Sequence, residues 1–309
     1  MALVLEKRKM TKLQRQENLV GWLFVAVPLI GTAVFTVLPV LMSLYLSFTQ
    51  WRGFTPIWQA EWVGLSNFRE ILFGSYQSEF FGSILNTLFM VLSLPITLFF
   101  SLLVAILLNR TLPGAGVFRV VYYIPALSTA VVVVLIFQNL FAEQGLINQF
   151  LALLHIQGPM WLNQKGYATV VIIVLSLWKN LGGNMLMFLA GLQSISKDYN
   201  EAAMLDGANS CQIFLKITLP LLKPMTFFML VTGLMGGLQA FNEPFLMFPY
   251  NFGYGPESST ETVMVFMYYQ FSNNNALGMA SAISWLLAII IFIVTMVQFW
   301  YNKRSEKDY

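Results

Sequence analysis

Few side chains in this sequence have the chemistry for a reaction centre. The 309 residues contain one cysteine, Cys211, and one histidine, His155. A single cysteine forbids an intrachain disulfide, and one of each forbids a Cys/His metal site of ordinary spacing. The apolar stretches hold no nucleophile, acid and base set of the kind a membrane enzyme needs. The glycine-rich turn at 109–118 (NRTLPGAGVF) is not followed by Lys-Ser/Thr, and no G-x-x-x-x-G-K-[ST] occurs, so the chain lacks the usual means of binding ATP. What remains is hydrogen-bonding chemistry. Ser176, Asn180 and Gly183 recur at helical spacing, with Lys179 and Asn184 beside that stripe. A Lys near the centre of a membrane helix costs about 2.5 to 3.5 kcal/mol, so it must face protein or a wet cavity rather than lipid. Lining a cavity, snorkelling and structural pairing all meet that demand.

The elements that position these residues are membrane spans. Hydrophobic residues make up 57% of the chain and charged ones 10%, with a mean hydropathy of +0.68. A soluble globule could not cover that interior with polar surface. A net charge of +3 gives no reason to expect nucleic acid. Runs at roughly 20–47, 83–108, 118–140, 168–191, 223–242 and 279–301 are each long enough to cross a bilayer, which takes about 20 residues. The expected fold is therefore an all-α polytopic membrane protein with six transmembrane helices. It divides into a basic segment (1–19), a transmembrane unit (20–301) and a short tail (302–309). The first run follows Lys7, Arg8, Lys9, Lys12 and Arg15, but it is too long for a signal peptide and reads as an uncleaved anchor.

Charge orients the spans. With the N-terminus inside, that tail falls on one side with Arg110, Arg119, Lys197, Lys216, Lys223, Lys303, Arg304 and Lys307. The opposite side keeps only Arg52, Arg69 and Lys165. Both termini and the loop at 196–224 are thus expected in the cytoplasm. Outside, Trp51, Trp58 and Trp62 suit an interfacial belt, and residues 141–167 read as a short amphipathic helix and a Gly-Pro turn. Pro95 should kink the second span, and Pro125 with Ser128 and Thr129 should bend the third.

The loop at 196–224 is the most distinctive segment. Ser196 can cap a first helix with Asp198 in its first turn, Gly207 breaks it, and Ser210 can cap a second helix that Pro220 stops. Ala202, Ala203, Gly207 and Ala208 leave the backbone open to close packing by another protein. The run Glu201-Ala202-Ala203, Asp206-Gly207-Ala208, Leu219-Pro220 and Pro224 resembles the EAA loop of importer-type ABC permeases. Gly64-Leu65-Ser66-Asn67-Phe68, Asn86-Thr87 and 119–125 (RVVYYIP) are similar to elements of the carbohydrate-uptake branch, the maltose and glycerol-phosphate type.

The resemblance implies a type I importer transmembrane fold in which residues around Glu201 form a cytoplasmic coupling helix seated in an ATPase. It implies a second homologous permease, two ATP-binding subunits, an extracytoplasmic sugar-binding protein, and a place in the bacterial or archaeal inner membrane. ATP and Mg would sit on the partner ATPase, with no cofactor or metal on this chain. It also implies a mid-membrane pocket, which maps onto Ser176, Asn180, Gly183, Gly233, Gly237 and Ala240. Gln239 and Asn242 would add amides, with Lys179 and Asn184 along the same path. Lys179 leaves an acidic saccharide or glycerol phosphate open as substrate. An ion-coupled secondary transporter is the alternative, but it would call for intramembrane carboxylates, and each Asp and Glu here falls in or beside a loop. The external stretch at 243–257 departs from the family in being longer and more aromatic.

Overall fold

The computed structural model describes residues 12–110 and 113–306. The tail residues Lys7, Arg8, Lys9 and Lys307 lie outside that range. The first span is a rod of α1 (Lys12–Thr32) and α2 (Leu38–Ser47) joined by a π-turn over Ala33–Val37. The Leu38 N–H reaches back to the Ala33 carbonyl, and this widened turn accommodates Pro39, which has no N–H to give the ladder. After it, β1 (Thr49–Gln50) and β2 (Glu61–Trp62) pair antiparallel, a small ribbon not apparent in the sequence. Asn67, in α3 (Ser66–Phe73), fixes its base by donating to the carbonyls of Ser47 and Thr49 at 2.9 and 3.0 Å.

The second span comprises α4 (Gln77–Val91) and α5 (Ser93–Asn109), interrupted at Leu92. Pro95 sits in the first turn of α5, where a missing N–H costs nothing, so the disturbance falls one turn before it. The third apolar run is sharply broken: α6 (Ala115–Leu127) and α7 (Ala130–Leu140) meet at 98° across Ser128 and Thr129, both extended. After it comes α8 (Leu146–Leu153), braced where the Trp161 indole donates to Asn148. Next, α9 (Tyr167–Ser194) crosses as one uninterrupted 28-residue helix.

The loop beyond α9 holds α10 (Lys197–Leu205), then a second rod made of α11 (Ser210–Ile213), a π-turn at Phe214–Thr218 and α12 (Leu219–Leu221). Pro220 does not stop this rod. A π-turn precedes Leu219-Pro220 as one precedes Leu38-Pro39, and the helix ends only at Leu222, where it bends 59° into α13 (Lys223–Leu238). The run expected to reach residue 242 stops at Leu238. Gly236 and Gly237 weaken the last turn, whose carbonyls are closed by the Gln239 N–H, and Gln239 and Ala240 leave the helix. The chain continues through α14 (Asn242–Met247), α15 (Val263–Ser272) and α16 (Leu277–Glu306).

Among the described residues, four helices are long and apolar enough to cross a membrane, or up to six if each bent pair is one span. Three apolar clusters join them. Leu98, Ala105, Phe188, Leu192 and Met229 tie α5 to α9 and α13; Ile71, Phe80, Phe266 and Ile283 tie α3 and α4 to α15 and α16; Val133, Phe137, Val171, Leu175 and Met247 tie α7 and α9 to α14. Small residues allow the closest approaches. Gly182 lies against the Tyr122 main chain, and Gly191 against Leu222 at the bend into α13.

Candidate functional site

A cavity of about 410 Å³ opens between the α4–α5 break, α9 and α13. On α9 its wall is Ile172, Ser176, Asn180 and Asn184, spaced by four so that their side chains share one face. On α13 it is Met229, Thr232, Gly233, Gly236 and Gly237, and across from them are Val91, Ser93, Leu94 and Thr97. Gln239, Ala240, Phe241, Asn242, Glu243 and Pro244 close the remaining side.

Ser176, Asn180, Asn184, Gly233, Gly237, Gln239, Ala240 and Asn242, all anticipated, thus meet around one space. Gly183 does not line it, because the face defined by Ser176 and Asn180 continues to Asn184. Lys179 does not line it either. Its Nζ bonds the Glu243 carboxylate at 2.6 Å, with side chains 21% and 18% exposed. Glu243, expected in an external loop, is instead in α14 and on the cavity wall, the one ionisable group among the lining residues described. Ser93, Thr97 and Thr232 were also not anticipated. An intramembrane Lys requires a partner, and that requirement is the signal that could have found Glu243.

The glycines of α13 play two parts. A Cβ on Gly233 would strike Leu94, and one on Gly237 would press on Val91, so these two permit packing against the α4–α5 break. Gly236 has nothing within 4 Å of where its Cβ would be and faces open space. Several wall donors are turned back on their own helices: Asn180 on the Ser176 carbonyl, Thr97 on Ser93, Thr232 on Phe228 and Gln239 on Met235. Among the described residues the side-chain amides of Asn184 and Asn242 make no hydrogen bond, which leaves both for a ligand. Hydroxyls and amides set among apolar surface in a space of this size suit a polyhydroxylated solute, since small-molecule pockets run about 300 to 1,000 Å³.

Beyond the cavity, residues 259–263 form a buried polar segment. The Thr262 hydroxyl donates to the Ala240 carbonyl at 2.7 Å, Thr169 donates to the Ser259 carbonyl, and the Val263 N–H donates to the Thr87 hydroxyl. Glu261 is only 3% exposed, and one of its carboxyl oxygens has no partner. Burial, and after it the charge of Glu79, raise its carboxyl from 4.5 to about 8. Burial, then Glu261, push the Tyr254 phenol up as well. Close by, Phe241 stacks on Phe245 at 4.9 Å with Tyr268 at 5.1 Å from each; of the aromatic stretch at 243–257, Phe245 joins this cluster while Tyr250 is fully exposed.

On the other side, Ser196 caps α10 by accepting from the Asp198 N–H. Its end is a Schellman turn: Gly207, at φ +78°, donates to the Met204 carbonyl and Ala208 to that of Ala203. Asn209 rather than Ser210 caps the next rod, because Gln212 completes a reciprocal capping box with it. Ala203 is buried, whereas Glu201, Ala202, Met204, Asp206 and Gly207 are exposed, and Leu205 is 90% exposed. Leu205 thus stands as an exposed apolar side chain on the short helix that follows α9.

Comparison with known proteins locates this architecture. Residues 70–307 match the family described as "Binding-protein-dependent transport system inner membrane component". The chain is 34% identical to the probable ABC transporter permease protein YesP of Bacillus subtilis over 302 residues, 95% of each chain. It is 32% identical to the lactose transport system permease protein LacF of Rhizobium radiobacter, covering 96% of this chain and 98% of that one. It is also 32% identical to the multiple sugar-binding transport system permease protein MsmF of Streptococcus mutans, covering 93% and 96%. Among solved structures, a chain of a bacterial ABC transporter involved in import of the acidic polysaccharide alginate superposes with a TM-score of 0.78 at 22% identity, covering 94% and 96%. At that identity the likeness establishes the fold.

Proposed function

The chain belongs to the binding-protein-dependent transport system inner membrane components, and from that premise we infer that it is the transmembrane permease subunit of an ATP-driven importer that moves a sugar by alternating access. The observation that carries the reading is mechanical. The cavity is walled by α9 and α13, and the exposed helices α10 to α12 are the only covalent link between those two walls. One residue separates the last turn of α9 from the Ser196 cap, and α12 runs through Leu222 into α13. A displacement of α10 therefore moves both walls.

On this reading, Glu201, Ala202, Ala203, Asp206, Gly207 and Ala208 are the coupling surface for an ATPase in the cytoplasm, with ATP and Mg held on that partner. ATP favours the closed ATPase pair, and that difference in binding gives the movement its direction. The full assembly has two ATP-binding subunits, a second homologous permease that completes the pathway, and an extracytoplasmic protein that delivers the sugar. Both termini and the loop at 196–224 face the cytoplasm, and the bent pairs count as spans to make six. Sugar transport by the relatives LacF and MsmF supports a di- or oligosaccharide as the cargo. The cavity's one carboxylate is already paired with Lys179, so it does not offer the open site that a coupling ion needs.

Purification of the tagged chain from its native membrane, followed by mass spectrometry, tests the assembly. A second permease and a Walker-motif ATPase are expected with it. Repeated recovery of the chain alone in transport-active form would refute the reading.

A further inference from the structure

Lys179 lies twelve residues inside the outer end of α9, about 18 Å along the axis at 1.5 Å per residue, deep in the membrane. Its partner Glu243 is the second residue of α14, the short helix that follows the turn at Gln239 and opens with Asn242, both in the cavity wall. The two ends of α14 are held differently. The far end is fixed by hydrogen bonds and apolar packing, where Gln138 of α7 donates to the Leu246 and Met247 carbonyls and Met247 packs with Val133 and Phe137 of α7 and Leu175 of α9. The near end, which bears the cavity residues, is tied to α9 through the Lys179–Glu243 ion pair. We propose that this pair is a clamp that positions the wall formed by Gln239, Asn242 and Glu243 against α9, and that it parts when the cavity opens outward.

The clamp rests on the importer reading, in which the walls must separate and close in turn. An ion pair suits the task because its attraction in a low-dielectric setting is strong at contact and is replaced by water once the walls part. Lys179 is thus a positioning residue. It acts on the sugar path through Glu243 rather than by touching the sugar.

The test is external access to residue 239 in the assembled importer. In right-side-out vesicles, with Cys211→Ser removing the native thiol, Gln239→Cys is labelled by a membrane-impermeant maleimide. With the pair intact, labelling is slow. Lys179→Met and Glu243→Gln each leave one buried charge unpaired and can fail to assemble. The decisive variants are therefore the doubly neutral K179M/E243Q and the charge swap K179E/E243K, in which no charge is left alone. The doubly neutral variant should label at least about tenfold faster, the factor that corresponds to ~1.4 kcal/mol taken from the closed form. The charge swap should return labelling to the slow rate. Slow labelling of the doubly neutral variant, or fast labelling of the swap, would overturn the clamp. Labelling needs neither ATP nor sugar, so the two readings fail separately: the labelling pattern decides the clamp, and absence of ATP-driven uptake by the assembly with Gln239 intact counts against the importer reading.

Discussion

Asn86 and Glu261, 175 residues apart in the chain, are joined by the Asn86 side-chain amide, which donates to the Glu261 main-chain carbonyl at 3.1 Å and to the Ser258 carbonyl at 2.7 Å. The neighbouring Thr87 hydroxyl accepts from the Val263 N–H. The Asn-Thr pair in α4 therefore pins the polar segment at 258–263 behind the cavity. One amide thus serves two backbone carbonyls.

Replacing that amide should loosen the segment. Asn86→Leu removes both bonds and leaves the Glu261 carbonyl without that donor, while Ser258 keeps only the 3.3 Å bond from the Glu261 N–H, at a cost of about 1 to 3 kcal/mol. Hydrogen–deuterium exchange over 254–262 should speed up while α9 and α16 stay protected. Unchanged exchange in that segment would show that the bonds do not restrain it.

Glu261 makes stability depend on pH. Its carboxyl titrates near 4.5 when unfolded and about 8 when folded, so between those values the folded chain holds a proton that the unfolded chain has lost. This group's contribution to stability therefore falls as pH rises from 4.5 to 8 and is level outside that window. Glu261→Gln should flatten the decline in the melting temperature of the detergent-solubilised protein between pH 5 and 8. A variant with the same slope as wild type would show that Glu261 is ionised when folded.

The contrast between neighbouring glycines of α13 offers a test of the cavity. Gly236→Leu projects a side chain into open space and should leave folding intact while abolishing sugar uptake. Gly233→Leu drives into Leu94 and should lower stability as well, because overpacking costs typically about 1 to 3 kcal/mol. Comparable uptake by Gly236→Leu and wild type would place the sugar path elsewhere.

Gly207 ends α10 with a positive φ that a β-branched residue resists by roughly 1 to 2 kcal/mol. Gly207→Val should leave membrane insertion unchanged and separate ATP hydrolysis from uptake. Full sugar uptake by this variant would count heavily against docking at that turn.

How far the site could be read from sequence depended on whether its signals were local. Ser196 and Gly207 were legible because a cap and a left-handed break are properties of one turn. Asn209 was displaced by one residue, to Ser210, because both are good caps and only the reach of Gln212 decides between them. Pro220 looked like a stop because sequence carries no sign of the π-turn that absorbs it. Gly183 was placed on the cavity stripe because residues three and four apart are both helix neighbours, and only packing selects the line through Asn184. The Lys179–Glu243 pair spans 64 residues and a helix break after Leu238, and neither was visible in the hydropathy of the fifth run.

The central claim is tested most directly by sugar uptake into proteoliposomes holding this chain with its partner permease and ATPase, supplied with loaded binding protein. ATP inside the reaction compartment should drive accumulation, omission of any one component should abolish it, and collapsing the proton and sodium gradients should leave it unchanged. Uptake that follows an ion gradient and proceeds without ATP or the ATPase would contradict the account.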